Sequence, residues 1–500
     1  MKSKRKAWVN WMLFLLTMVI VFVLGLLASS VMERRAEAVF VNKPVVKLSE
    51  YEPRNEEWGK NYPREFESYY NTADTSLRTL YNGNAMIDML EEDPRLVVLW
   101  AGYGFSKDYN QGRGHYYAIE DMHKTLRTGA PKGPDEGPMP NTCWTCKSPD
   151  VPRVMNEVGI AEFYKGKWAS RGPEIVNAIG CADCHDPSSM DLRITRPALI
   201  EAFESIGKDI NRATHQQMRS LVCAQCHVEY YFNSEVPVAG VPYLTFPWKD
   251  GFSAEDMLKY YDDIEFSDWT HALSKAPMLK AQHPGYEVFM TGIHYERGVS
   301  CADCHMPYHS EGGQKFTNHH MTSPLKYIAS SCQVCHRESE ETLTQNVYDR
   351  QRKVIEIRDQ AEVQIVRAHV EASKAWELGA SEAEMEAILY RIRAAQWFWD
   401  YAAAGHGASF HSPLEISRVI GKAIDNAQEA RVMLARVLAD HGHNTEVPYP
   451  DIATKRKAQA FIKLPVEKLQ KEKDEFMATV VPRWLQEAAA REATYTVLQD

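Results

Sequence analysis

Ten cysteines fall at 143/146, 181/184, 223/226, 301/304 and 332/335, so each belongs to a C-x-x-C pair. None is left for a long-range disulfide or an isolated nucleophile. Four pairs run straight into histidine: Cys181–Cys184 into His185, Cys223–Cys226 into His227, Cys301–Cys304 into His305, and Cys332–Cys335 into His336. C-x-x-C-H is the attachment signal of c-type haem. The thiols become thioethers on the vinyl groups, and the neighbouring imidazole meets the iron. The competing chemistry is zinc, because paired C-x-x-C motifs also build four-thiolate sites. Histidine fills only 18 of 500 positions. Four of five pairs followed by histidine is then a chance event of roughly one in a hundred thousand, so the arithmetic selects haem.

The fifth pair departs from the rule: Cys143-Trp144-Thr145-Cys146-Lys147. A degenerate redox or zinc C-x-x-C is the bland reading. The sharper one is a fifth haem with Lys147 on the iron. An amine binds iron only when deprotonated, which calls for a buried site. Lysine ligation offers little to plain electron transfer and suits a haem whose other face is open to a substrate. Fourteen of the eighteen histidines lie outside the attachment motifs. Four bis-histidine haems would use four of them.

The elements that hold these residues divide at about residue 340. Residues 40–325 are rich in Pro, Gly, Tyr and Trp, with weak periodicity. That pattern predicts loops and short helices wrapped around something other than protein. From Pro324 to Pro413 there is no proline between. A long helix is predicted there, ending at Gly379 as its C-terminal cap. Ser381 and Glu384 form a capping box for a second helix, through about Ala404. Ser412, Pro413 and Glu415 supply an N-cap, a first-turn proline and a third-position carboxylate for a third, to about Asp440. Long amphipathic helices need a partner face, which is the chain's own core and, by expectation, a homodimer contact. The predicted fold is mainly α: short helices and loops around five haems in 39–340, then long helices in 341–500 within the same compact domain.

The N-terminus decides the compartment. Lys2, Lys4, Arg5 and Lys6 precede an uncharged stretch that Glu33, Arg34 and Arg35 stop. Its length suits a membrane-crossing anchor, while Ala36-Glu37-Ala38 fits a signal-peptide cleavage pattern. Residues 1–38 are therefore read as a signal peptide or an anchor. Either way the basic flank stays inside and the rest is exported, as haem attachment requires. The remaining composition is that of a folded domain, at 44% apolar and 25% charged residues. A net charge of −10 argues against nucleic-acid binding.

With Cys143-Trp144-Thr145-Cys146-Lys147 beside four C-x-x-C-H motifs, the chain resembles the pentahaem cytochrome c nitrite reductases, the ammonia-forming enzymes of the periplasm. The likeness extends from about residue 50 through the blocks LVVLWAGYGFSKDYN, Arg113-Gly114-His115, CAQCHVEYYF and PMLKAQHP to the helices after Cys335. The resemblance implies five covalent haem c groups and six-electron reduction of nitrite to ammonium at the lysine-ligated haem. It implies Arg113, Tyr230 and His283 around the open face: a cationic fork for the anion, a hydrogen-bond donor and a proton relay. It implies calcium beside that haem, held by Glu229, Gln282 and the carbonyls of Tyr230 and Lys280, an oxygen set that suits this ion. It implies distal ligands His115, His319, His411 and His294 for the haems of His227, His185, His305 and His336, with His320 and His406 as neighbours easily mistaken for ligands. A membrane-bound multihaem quinol dehydrogenase is the implied electron donor. His215, ahead of Cys223, has no implied role. Two other readings compete: a multihaem electron carrier, which should carry histidine at all five motifs, and a related enzyme acting on hydroxylamine or sulfur oxyanions.

Overall fold

A computed structural model describes residues 7–38, 44–81, 83–312, 314–405 and 407–495. Helix α1 spans Ala7–Ala38. Its stretch Ala7–Met32, 26 residues long, reaches a mean hydropathy of 2.7 over 18 residues, and none of that window is buried against the rest of the chain. That is long and apolar enough to cross a bilayer, as either reading of the N-terminus requires. The position next to the cleavage pattern, Val39, lies outside the described residues, as does His406.

The polypeptide then runs to about residue 339 in one- to three-turn helices and loops, as its Pro- and Gly-rich composition predicts. Strand is confined, among the described residues, to three short antiparallel pairs: Tyr231–Asn233 with Tyr243–Thr245, Trp269–Thr270 with Pro277–Met278, and Tyr308–Glu311 with Gln314–Thr317.

Four longer helices follow: α2 Glu340–Glu377, α3 Glu382–Ala404, α4 Pro413–Asp440 and α5 Val466–Glu492. Their ends follow the predicted chemistry, with one exception. Gly379 takes φ +92 after α2. The Gly379 N–H donates to the Trp376 carbonyl and the Ala380 N–H to the Ala375 carbonyl, the paired bonds of a Schellman cap. The Ser381 hydroxyl accepts from the Glu384 N–H at 3.4 Å, and the Glu384 carboxylate accepts from the Ser381 N–H at 2.7 Å. Ser412 is the exception. Its side chain makes no capping bond, and its hydroxyl donates instead to the Thr291 carbonyl at 3.2 Å. Pro413 begins α4 without that cap. The tertiary bond wins because Ser412 sits at a buried junction with the haem region, where a free hydroxyl would be costly.

The apolar stripes meet one another. On α4, Ile416, Val419, Ile420, Ala423, Ala427, Ala430 and Leu434 repeat every three or four residues and are all fully buried. They pack against α2 and α3. Where α2 and α3 meet the shorter elements the contacts are polar and paired. Glu362 of α2 accepts from Trp399 Nε1 at 2.9 Å and pairs with Arg95 at 2.7 Å. His369 stacks on His271 at 3.6 Å and shares a hydrogen bond with Gln396 at 2.7 Å. The long helices thus form a rigid wall onto which the loop-rich half is fastened. Helix α5 reaches back over that half, seating Phe476 and Trp484 against Trp168 at 5.8 and 5.5 Å.

Candidate functional site

All five cysteine motifs open onto one connected cavity of about 2810 Å³. Small-molecule pockets run to several hundred Å³ each, so this is a space for several large groups. Each motif sits on or just after a helical segment, and both its cysteines line the cavity: Asn141–Trp144, Cys181–Cys184, the end of His215–Ala224, Cys301–His305, and the turn after Ile328–Ser331. Four of the motifs adjoin one another in series, and the fifth, Cys181/Cys184, adjoins the series at Cys223. Cys146 is a side-chain neighbour of Cys226, Cys223 of Cys301, and Cys304 feels Cys332. Among the described residues, which include all ten cysteines, none is in a disulfide. Burial pushes the Cys181, Cys184 and Cys304 thiols up to about 12.

The structure brings together the four histidine pairs expected from sequence. Ring centres lie 6.4 Å apart for His115 and His227, 6.1 Å for His185 and His319, 6.2 Å for His305 and His411, and 6.3 Å for His294 and His336. A metal–imidazole bond is about 2.0 Å, so two imidazoles on opposite faces of one metal have ring centres about 6.3 Å apart. Second partners hold at least three of the rings, among them His319, whose Nδ1 shares a hydrogen bond with the Thr317 carbonyl at 2.8 Å. His185 Nδ1 shares a hydrogen bond with the Met190 carbonyl at 2.8 Å, and His305 Nδ1 with the Thr322 carbonyl at 2.9 Å. Such bonds set the tautomer so that Nε2 faces the metal. His320 turns away to Tyr327 Oη at 2.8 Å. His215 lies on the cavity rim, beside Gln216, which bonds Asp303.

The lysine motif is braced by Arg196, a residue the sequence reading passed over. Its buried guanidinium donates to the Thr145 carbonyl at 2.6 Å and the Ser148 carbonyl at 2.8 Å, and pairs with Asp183. One cation thereby ties the loop carrying Lys147 to the next cysteine motif. Trp144 is fully buried, and its indole N–H donates to the Trp168 carbonyl at 2.8 Å.

Around Cys143 and Cys146 stand Lys147, Tyr230 and Arg127. Burial pushes the Cys143 thiol up to about 12, with the Lys147 and Arg127 charges acting against it. Burial, with Cys146 and Cys143 beside it, holds the Tyr230 hydroxyl well above its ordinary value, so at neutral pH it is a proton-bearing donor. His283 lines the same cavity, and its ring centre is 6.4 Å from that of His227, on which His115 also stands. The expected arginine differs. Arg113 is drawn into ion pairs with Glu120 at 3.0 Å and with Asp121, and it stacks on Tyr117 at 3.7 Å. Arg127 instead stacks on Phe105 at 4.2 Å and donates to Thr125 Oγ1 at 3.2 Å. Among the described residues no carboxylate forms an ion pair with Arg127. The sequence held a signal for this: Glu120 and Asp121 follow Arg113 on the next helix, whereas Arg127 sits in a turn closed by Gly129, Ala130 and Pro131.

The oxygen donors expected to hold calcium also converge. Glu229 is fully buried and accepts from the Gln282 N–H at 2.6 Å and the Tyr261 hydroxyl at 3.0 Å. The Gln282 amide lies on the Lys280 carbonyl at 3.2 Å. The Lys280 ammonium turns away to Asp400 at 2.8 Å. Burial raises the Glu229 carboxyl well above its usual range. Carboxylate, amide and carbonyl oxygens fit a hard divalent ion.

Residues 54–493 match the sequence profile of the family described as cytochrome c552. The chain belongs to the cytochrome c552 family. It is 57% identical over 491 residues to "Cytochrome c-552" of Bacteroides fragilis, covering 98% of this chain and 99% of that protein. It is 56% identical over 493 residues to the protein of the same name from Porphyromonas gingivalis, covering 98% of each. Among solved structures it is similar to the catalytic subunit of cytochrome c nitrite reductase from Desulfovibrio desulfuricans, described for the relevance of its two calcium sites. That match has a TM-score of 0.72 and 31% identity, over 84% of this chain and 91% of the other. The mainly helical multihaem architecture expected for this cytochrome is thus borne out, and so is its resemblance to the nitrite reductases at the level of family.

Proposed function

We propose that this oxidoreductase reduces nitrite to ammonium with six electrons, at a haem held by Cys143 and Cys146 and ligated by Lys147. The observation that carries the reading is the asymmetry of the cavity. Four attachment histidines each face a second histidine at metal-bridging separation, whereas Lys147 shares its surroundings with a phenol and an arginine that has no carboxylate partner among the described residues. Haem bound at the motifs supplies the redox chemistry, four of the sites closed by His115, His319, His411 and His294. This chain's own residues do the rest. Arg127 offers the anion a fixed cationic fork. Tyr230 donates a hydrogen bond. His283 relays protons to oxygen as nitrogen–oxygen bonds break. Glu229, Gln282 and the Tyr230 and Lys280 carbonyls would hold calcium. Its charge would raise the local potential and draw nitrite in.

The serial order of the cysteine motifs supports an electron path through the closed sites to the open one. The apolar N-terminal helix supports export to the periplasm, with α1 either removed or kept as an anchor. The remaining elements of the reading are a two-fold homodimer through the long helices and a membrane-bound multihaem quinol dehydrogenase as donor. The test is direct. Purified protein given a reduced dye and nitrite should oxidise the dye and accumulate ammonium. Nitric oxide as the end product would overturn the reading.

A further inference from the structure

Helix α5 contributes a lysine to the interior that the chemistry above does not use. Lys473 is 2% exposed. Its Nζ donates to Thr128 Oγ1 and to the His123 carbonyl, both at 3.0 Å. It lies 4.8 Å over Phe476 and 6.0 Å over Trp168. Burial pushes its amine down to about 7, with Asp108 acting against that. A buried amine is costly unless its hydrogen bonds do something that an apolar side chain cannot.

What those bonds hold is the turn that carries Arg127. Thr128 Oγ1 accepts from Lys473 and donates to the carbonyls of Met122 and Thr125 at 2.9 and 3.0 Å. Thr125 Oγ1 in turn accepts from Arg127 Nε. The Thr128 carbonyl accepts from Trp168 Nε1 at 2.9 Å, and the Leu126 N–H donates to Asp108 at 3.1 Å. The turn Leu126–Thr128 is short, closed by the Gly129 N–H on the Leu126 carbonyl at 3.2 Å. It is also held from outside: Lys473 bonds both its last residue, Thr128, and His123 at the end of the preceding helix, Ala118–Lys124. Lys473 does not line the cavity.

We infer that Lys473 is a positioning residue for nitrite binding: through Thr128 it locks the turn that aims Arg127 at the anion. This rests on the reading of Arg127 as the nitrite-binding cation. The test uses the intact haem-loaded protein and two variants, Lys473→Met and Thr128→Val. The second keeps the lysine charge and removes the hydroxyl that accepts from Lys473, together with that hydroxyl's own donation to the Met122 and Thr125 carbonyls, so it separates the Thr128-centred positioning network from long-range attraction. It also decides alone if Lys473→Met does not fold. Nitrite binding to the oxidised protein is read from the visible spectrum, and turnover is measured with nitrite and with uncharged hydroxylamine. Loss of a hydrogen bond in such a network predicts about tenfold weaker nitrite binding in both variants, with kcat within about twofold and hydroxylamine KM unchanged. Unchanged nitrite binding in a folded variant would overturn the inference. So would equal weakening for nitrite and hydroxylamine, which would mark a merely structural role. Failure of the functional reading looks different, because the wild type itself would then bind no nitrite.

Discussion

Replacing Lys147 with histidine should leave a folded protein carrying five haems and cut nitrite turnover by on the order of tenfold to a hundredfold, the range seen when groups that tune a metal's ligands are changed. Both cysteines remain, and C-x-x-C-H is the commoner attachment signal, so intact mass should still show five haem additions. The braces survive too: Arg196 holds the loop through the Thr145 and Ser148 carbonyls, and Trp144 holds it through the Trp168 carbonyl. None of these bonds involves the Lys147 side chain. On the proposed reading, what would change is the donor that position 147 offers the iron, and with it the iron potential and the electron density available to substrate. Arg127 is untouched, so the loss should fall on kcat more than on KM. Turnover equal to wild type would mean that lysine ligation is incidental to the chemistry.

The second large effect separates two arginines. Arg127→Leu should raise the nitrite KM by about tenfold to a hundredfold, the value of a charge-assisted hydrogen bond to an anion. Arg113→Leu should change KM by less than about threefold. Its guanidinium is already taken up by Asp121 and Glu120, and its loss should show as a drop of roughly 0.5–1 kcal/mol in stability instead. Steady-state kinetics on the two variants, with thermal unfolding of each, makes the comparison. A large KM effect at Arg113 and none at Arg127 would return the role to the residue that the resemblance implied.

Those two residues show where a sequence stops being legible. The cysteine motifs are local and covalent in meaning, so their spacing is enough. The long helices are equally plain, because Gly379 and the Ser381–Glu384 box act within one turn of themselves. The partners of His227, His185, His305 and His336 lie far along the chain in irregular segments, and only the resemblance supplied them. The structure then put each at a distance one metal can bridge. Ser412 carries a strong local signal that a tertiary contact overrides, the Thr291 carbonyl. Arg113 takes its expected role from the resemblance, and the carboxylates that engage it, Glu120 and Asp121, lie close by in the sequence. Arg127 offers only its place in a turn closed by Gly129, Ala130 and Pro131, and Lys473 carries no local signal, because its site depends on an aromatic wall of Trp144, Trp168, Phe476 and Trp484 gathered from both ends of the chain.

The central claim is that one haem of five is open and the other four are closed by histidine pairs. Titration of the oxidised protein with nitrite, followed by electron paramagnetic resonance and by the visible spectrum, counts open irons directly. The account predicts saturation at one nitrite per chain, with the bis-histidine signals unmoved. Binding at no haem, or at two or more, would contradict it.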